Sequence, residues 1–202
     1  MPYQKRSRLV VAITGASGVI YGVRLLAALR DQPLETHLVL SKSGALTLAY
    51  ETDLKVAEVE AMADVVHRPD DMGAAISSGS FRTMGMIVAP CSIRTMGEIA
   101  TGVTTTLVSR AADVTLKERR RLVLMVRETP LHAGHLRSMT ALAEMGAVIA
   151  PPVPAFYAGP QTVDDLIDHS VGRVLDLFDI ETDGLRRWGE SPRRKARKPR
   201  ES

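Results

Sequence analysis

Four short stretches carry residue types suited to chemistry. Gly15-Ala16-Ser17-Gly18 stands between an apolar run and an amphipathic one. Small residues there let the backbone approach a ligand, and a helix N-terminus offers N–H groups to an anion. Ser17 adds a hydroxyl. Ser17 stands where the Gly-x-Gly-x-x-Gly dinucleotide pattern needs glycine, and no Gly-Lys-Ser/Thr follows. Val19 excludes the Gly-x-Ser-x-Gly nucleophile elbow. The stretch reads as a phosphate- or cofactor-binding turn, with a plain tight turn as the alternative.

Ser41 and Ser92-Ile93-Arg94-Thr95 add hydroxyls and a guanidinium whose fork matches phosphate oxygens. Ser92 and Thr95 also suit helix capping. Arg127-Glu128 follows the apolar run Leu122–Val126, so the pair falls at a strand end rather than in the core. Its chemistry is anion binding by Arg127 and proton transfer by Glu128, or else a salt-bridge lock to a neighbour. Lys117 or Arg110 could reach a phosphate, although the run from Lys117 to Arg121 also reads as a solvated helix end. His132 and His135 could share a helix face, but no further His or Cys lies nearby, so no metal is expected. Cys91 follows Pro90 without a local base and reads as a buried thiol.

The elements that position these residues alternate. Apolar strands are expected at Leu9–Thr14, Thr36–Leu40, Val65–His67, Met84–Ala89 (stopped by Pro90), Leu122–Val126 and Ala147–Ala150. Helices are expected at Val19–Arg30, Ser43–Tyr50, Val56–Met62, Ile93–Ala100, Thr106–Lys117, His132–Met145 and Val163–Phe178. Asp70–Arg82 reads as a loop. Strands alternating with helices indicate an α/β domain with a parallel sheet. Ligands in such sheets bind beyond the carboxyl ends of the strands. The chemically unusual residues fall there, which suggests a phosphorylated cofactor lying across the strand ends.

Composition limits the alternatives. The chain has 202 residues, 45% hydrophobic and 24% charged, enough for one well-buried domain. No apolar stretch approaches the roughly 18 residues of a membrane span. The run Leu9–Ile13 is too short for a signal-peptide core, and one cysteine forms no internal disulfide, so a cytoplasmic protein is expected. The net charge of +3 comes from the end of the chain, where Arg186–Ser202 holds eight basic and two acidic residues. The preceding 185 residues carry 18 basic and 21 acidic side chains, a net −3, which argues against a nucleic-acid-binding domain. Residues 1–189 are expected to form the domain and 190–202 a basic, disordered tail.

The ordered motifs resemble the UbiX/Pad family of flavin prenyltransferases. They are Thr14-Gly-Ala-Ser-Gly-Val-Ile-Tyr-Gly22, Ser41-Lys42, Ser78-Gly-Ser-Phe81, Pro90-Cys-Ser92 and Arg110-Ala-Ala-Asp-Val114. Leu116-Lys-Glu-Arg-Arg120, Arg127-Glu-Thr-Pro-Leu131, Gly146-Ala147, Pro154-Ala-Phe-Tyr157 and Arg187-Trp-Gly189 continue the series. Asp70-Asp71-Met72, Ala74–Phe81 and Thr104–Leu107 resemble members associated with hydroxyarylic acid decarboxylase systems.

The resemblance implies a three-layer Rossmann-like or flavodoxin-like domain that assembles through trimers into a dodecamer. It implies reduced FMN and dimethylallyl monophosphate as substrates, with no metal. The dimethylallyl group would join flavin nitrogen 5 and then the adjacent benzenoid carbon, closing a fourth ring. The prenylated FMN would serve a UbiD-type decarboxylase. By resemblance, Gly15, Ala16, Ser17, Ser41, Ser92, Ile93, Arg94, Thr95 and Arg127 contact FMN. Tyr157 and Arg173 contact the dimethylallyl phosphate, with Lys117 and Arg110 as further phosphate ligands. Glu128, and with it Glu51 and Ser17, are tied to proton handling, and Trp188 is brought over the site by the C-terminal segment. Two rivals share the fold: a non-catalytic flavin-binding or assembly subunit of a hydroxyarylic acid decarboxylase, and a flavin-dependent cysteine-type decarboxylase. The second would call for a histidine within Val19–Arg30, where this chain has none.

Overall fold

The computed structural model describes residues 7–182 and Leu185; Trp188 and the tail expected at 190–202 lie outside them. Its strands are β1 (Ser7–Ile13), β2 (Leu34–Leu40), β3 (Val65–His67), β4 (Gly85–Cys91), β5 (Arg121–Val126) and β6 (Val148–Ile149). Its helices are α1 (Ile20–Leu29), α2 (Lys42–Glu51), α3 (Val56–Glu60), α4 (Ile93–Thr101), α5 (Leu107–Lys117), α6 (Ala133–Glu144) and α7 (Val163–Asp176).

The strands form one parallel sheet in the order β3-β2-β1-β4-β5-β6. Strand β1 explains the layers. Its residues are apolar from Leu9 to Ile13, and successive side chains point to opposite faces. Leu9, Val11 and Ile13 join a core with α1, α2, α3 and α7. Val10 and Ala12 join a second core with α4, α5 and α6. A strand covered on both sides has no place for a polar residue, which is why it reads as a continuous apolar run. The chain leaves β1 towards β2 and β3, then crosses back to β4 on the other side. That reversal opens a crevice at the carboxyl ends of β1 and β4.

Close approach at α1 depends on Gly22. A Cβ there would lie 2.3 Å from the Ala89 carbonyl oxygen and 2.6 Å from Ile13 Cγ1. No ordinary side chain fits so near β1 and β4.

Some boundaries differ from the sequence expectation. β4 does not stop at Pro90. It runs on to Cys91, which pairs with Val126 after a register shift between Val88 and Cys91. Proline lacks an N–H, and an irregularity in the ladder is where a strand tolerates that loss. α7 ends at Asp176, before Phe178, which packs into the core instead. The 3-10 turns Ala75–Ser77 and Phe156–Ala158 carry too few residues to show a period.

Candidate functional site

Three strand-to-helix turns meet at the crevice. The β1–α1 turn is tied to the β4–α4 turn by Thr14. Its hydroxyl donates to the Pro90 carbonyl at 2.7 Å and accepts from Ser92 N at 2.8 Å. Ser41 N donates to Ile13 O at 3.0 Å, and Arg127 N donates to Cys91 O at 3.2 Å, so the β2 and β5 ends join the same seam. Each helix then starts at a serine or a glycine-rich turn. Ser41 Oγ accepts from Gly44 N at 2.9 Å and caps α2. Ser92 Oγ accepts from Thr95 N at 3.3 Å and caps α4. Gly18 takes φ +92°, a conformation that glycine adopts without strain.

Glu51, at the end of α2, reaches back to this turn. Its Oε2 accepts from Gly18 N at 2.8 Å and Val19 N at 3.1 Å. Burial alone would raise its pKa. Hydrogen bonds from the Ser17 side chain and these two amides, with the charge of Arg127, hold it below the ordinary glutamate value. A carboxylate therefore neutralises the N-terminus of α1 without filling the cleft beside it.

The cleft has a volume of about 880 Å³. Gly15, Ala16, Ser17, Ser41, Ser92, Ile93, Arg94, Thr95, Arg127 and Glu128 all line it, so the structure gathers the expected flavin-side residues, with Glu128 among them. It adds Lys42, Ser43, Leu46, Pro69, Asp70, Glu98, Thr105, Thr106 and Val108, which the sequence reading did not single out as site residues. Lys42 was within reach, as the residue directly after Ser41. Arg94 Nε donates to Glu98 Oε1 at 2.9 Å, one helical turn along α4. Glu128 Oε1 accepts from Thr129 N at 3.0 Å.

The donor set suits a phosphorylated ring cofactor. Its hydroxyls and helix N-termini are suited to receive phosphate and polyol oxygens. Arg94, Arg127 and Lys42 supply positive charge, and Leu46, Ile93 and Val108 supply apolar wall for a ring.

Other expected residues stand elsewhere. Tyr157 and Arg173 line a separate cavity of about 290 Å³, beside Met125, Ala150 and the Pro151–Val153 stretch. Arg110 donates to the Ser77 carbonyl at 3.2 Å and to Asp113 at 2.8 Å. Lys117 pairs with Glu118 at 2.6 Å. Both therefore lie on the α5 side near the 78–81 loop, where Arg120 also donates to Gly79 O and Phe81 O. Within one copy they do not line the cleft.

The histidine pair is accounted for by capping. His132 Nδ1 accepts from Gly134 N at 3.0 Å and stacks on His135 with centroids 3.6 Å apart. Among the described residues, no group of three or more His, Cys, Asp or Glu is placed to hold a metal. Cys91 is fully buried, and burial pushes its thiol up to about 12.

A parallel sheet with its cleft at the switch point, lined by hydroxyls and cations, is the architecture of a nucleotide-binding flavoprotein. The Flavoprotein family matches residues 2–175. The chain is 59% identical over 184 residues to the flavin prenyltransferase UbiX of Escherichia coli strain K12, covering 90% of this chain and 97% of that one. It belongs to the UbiX family of flavin prenyltransferases. The crystal structure of AnUbiX (PadA1) with FMN and dimethylallyl pyrophosphate superposes with a TM-score of 0.91. It is 54% identical and covers 93% of this chain and 100% of that one. A dodecameric FMN-dependent UbiX-like decarboxylase from Escherichia coli O157:H7 gives 0.88 at 53% identity, covering 90% of this chain and 98% of that one.

Proposed function

We propose that this chain transfers a dimethylallyl group from dimethylallyl monophosphate to reduced FMN, making prenylated FMN for a UbiD-type decarboxylase. The observation that carries this reading is the convergence of the β1–α1, β2–α2 and β4–α4 turns and Arg127-Glu128 on one cleft. Gly15–Ser17, Ser41 and Ser92–Thr95 receive the phosphate and polyol of FMN, and Arg127 supplies the counter-charge. When bound, the reduced flavin supplies the nucleophilic ring nitrogen and the neighbouring benzenoid carbon.

In the donor, the allylic C–O bond breaks and its electron pair leaves on the phosphate. Tyr157 and Arg173 stabilise the charge that builds there, with Lys117 and Arg110 as further ligands. Positioning the allyl carbon against the ring removes much of the entropic barrier. The first new bond, from the flavin nitrogen to the allyl carbon, replaces the C–O bond and frees the proton on that nitrogen. A proton added to the remaining double bond then lets the benzenoid carbon bond to it. Glu128, on the cleft wall, accepts the proton that this ring carbon gives up on ring closure. Ser17 and Glu51 hold the turn leading into α1 in place and take part in its proton handling. Replacing Glu128 with Gln is expected to leave FMN bound and stop product formation; a full rate would remove Glu128 from proton transfer.

The flavin cleft and the Tyr157–Arg173 cavity are brought together by assembly of copies. Leu46 on the cleft wall and Val153 on the cavity wall are exposed, as are Tyr50, Phe156 and Val163. Such large apolar surfaces mark an interface. Mixed oligomers of Arg127→Ala and Arg173→Ala copies are expected to recover activity that neither has alone; no recovery would place both subsites in one copy.

The setting is the cytoplasm. No helix among the described residues is long and apolar enough to cross a membrane. Helix α1 carries no histidine, which separates this site from the cysteine-decarboxylase alternative. A non-catalytic flavin subunit would bind FMN without turnover.

A further inference from the structure

We propose that His169 is a positioning residue of the allyl-donor subsite, holding the Tyr157 hydroxyl towards the donor phosphate. This rests on the reading that Tyr157 and Arg173 bind that phosphate.

Tyr157 lies on a short support. It belongs to the three-residue turn Phe156–Ala158, which ends at Gly159 with φ +66°. Its residue surface is 52% exposed. A phenol on such a turn loses rotamer freedom when it takes up a ligand, and that loss weakens binding unless the ring is held beforehand.

Helix α7 supplies the constraint. His169 Nε2 lies 3.3 Å from the Tyr157 hydroxyl. The two rings meet edge to face, with centroids 5.6 Å apart and planes at 86°. One contact fixes the hydroxyl and the other fixes the ring plane. Arg173 is four residues further along the same helix, so imidazole and guanidinium share a face. Both line the cavity with Tyr157, above apolar Met125, Val174 and Leu177. Asp176 accepts from Arg173 Nη1 at 2.6 Å, so Tyr157 and Arg173 are both braced from α7.

Hydrogen-bond direction assigns the tautomer. A phosphate oxygen accepts, and a phenol has one proton to give. When Tyr157 gives it to the phosphate, its oxygen is left to accept. His169 must then present an N–H at Nε2. A glutamine amide at 169 offers the same donor, whereas alanine offers nothing.

The test compares wild type, His169→Ala, His169→Gln, Tyr157→Phe and the Tyr157→Phe/His169→Ala double variant. Donor KM, kcat and FMN affinity are measured, with dimethylallyl monophosphate as donor. His169→Ala is expected to raise donor KM about three- to ten-fold, with kcat and FMN affinity little changed. His169→Gln should recover most of the loss, and His169→Ala should add nothing to Tyr157→Phe. An equal effect of His169→Ala in both backgrounds, or a matching loss of FMN affinity, would show that His169 only supports the fold. A wild-type protein that makes no prenylated flavin would overturn the donor reading and this inference together; a working wild type with the equal effect would overturn this inference alone.

Discussion

Replacing Glu51 with alanine isolates the contact that fixes the turn leading into α1. The side chain accepts from Gly18 N at 2.8 Å and from Val19 N at 3.1 Å. Loss of a capping acceptor costs about 1 kcal/mol, and loss of a charge at a helix N-terminus costs ~0.3–1 kcal/mol. Glu51 is exposed, so solvent screening holds the sum near the lower end, about 1 kcal/mol. For a chain of this size that is ~2–4 °C in Tm. The pH dependence has a definite sign. The folded-state pKa lies below the ordinary value. The stabilisation is therefore present above about pH 4.3, the ordinary glutamate pKa, and is lost as pH falls through the lower folded value. Thermal melts of wild type and Glu51→Ala should differ at neutral pH and converge in acid. A difference under about half a degree at pH 7, or one that persists undiminished in acid, would refute the reasoning.

Three further outcomes follow from the geometry. Gly22→Ala should destabilise the fold by ~1–3 kcal/mol, since the added Cβ would meet the Ala89 carbonyl at 2.3 Å; urea unfolding measures it. Cys91, with its thiol pushed up to about 12, should resist an aromatic disulfide reagent at pH 8 until the protein is unfolded. His67 should make stability fall in mild acid. Burial and the neighbouring His37 lower its pKa against the opposing pull of Asp71, so its contribution is present above the ordinary imidazole value and lost as pH falls below it. His67→Gln should flatten the stability profile between about pH 5 and 7, read by denaturant midpoints.

Much of the fold was legible because burial on both faces leaves a plain mark. Runs such as Leu9–Ile13 and Leu122–Val126 have no polar residue, and capping positions such as Ser41, Ser92 and Thr106 punctuate the helices. The site was legible for a related reason: unusual residues directly after apolar strands must fall on the sheet edge, and the flavin-side ones do. Pro90 misled because local propensity favours ending a strand there, while the ladder with β5 resumes at Cys91. Glu98, Thr105 and Val108 were hidden because they reach the cleft from one side of α4 and from the cap of α5, which only the packing of those helices on the sheet decides. The His169–Tyr157 contact joins residues on two elements, and neither residue's local pattern points to the other.

The most direct test is one anaerobic incubation of the purified protein with reduced FMN and dimethylallyl monophosphate, followed by mass spectrometry of the extracted flavin. The account predicts a flavin heavier by one dimethylallyl unit, formed by wild type and absent with Glu128→Gln. Unmodified flavin recovered from protein that binds FMN well, with the monophosphate and then the diphosphate donor, would contradict it.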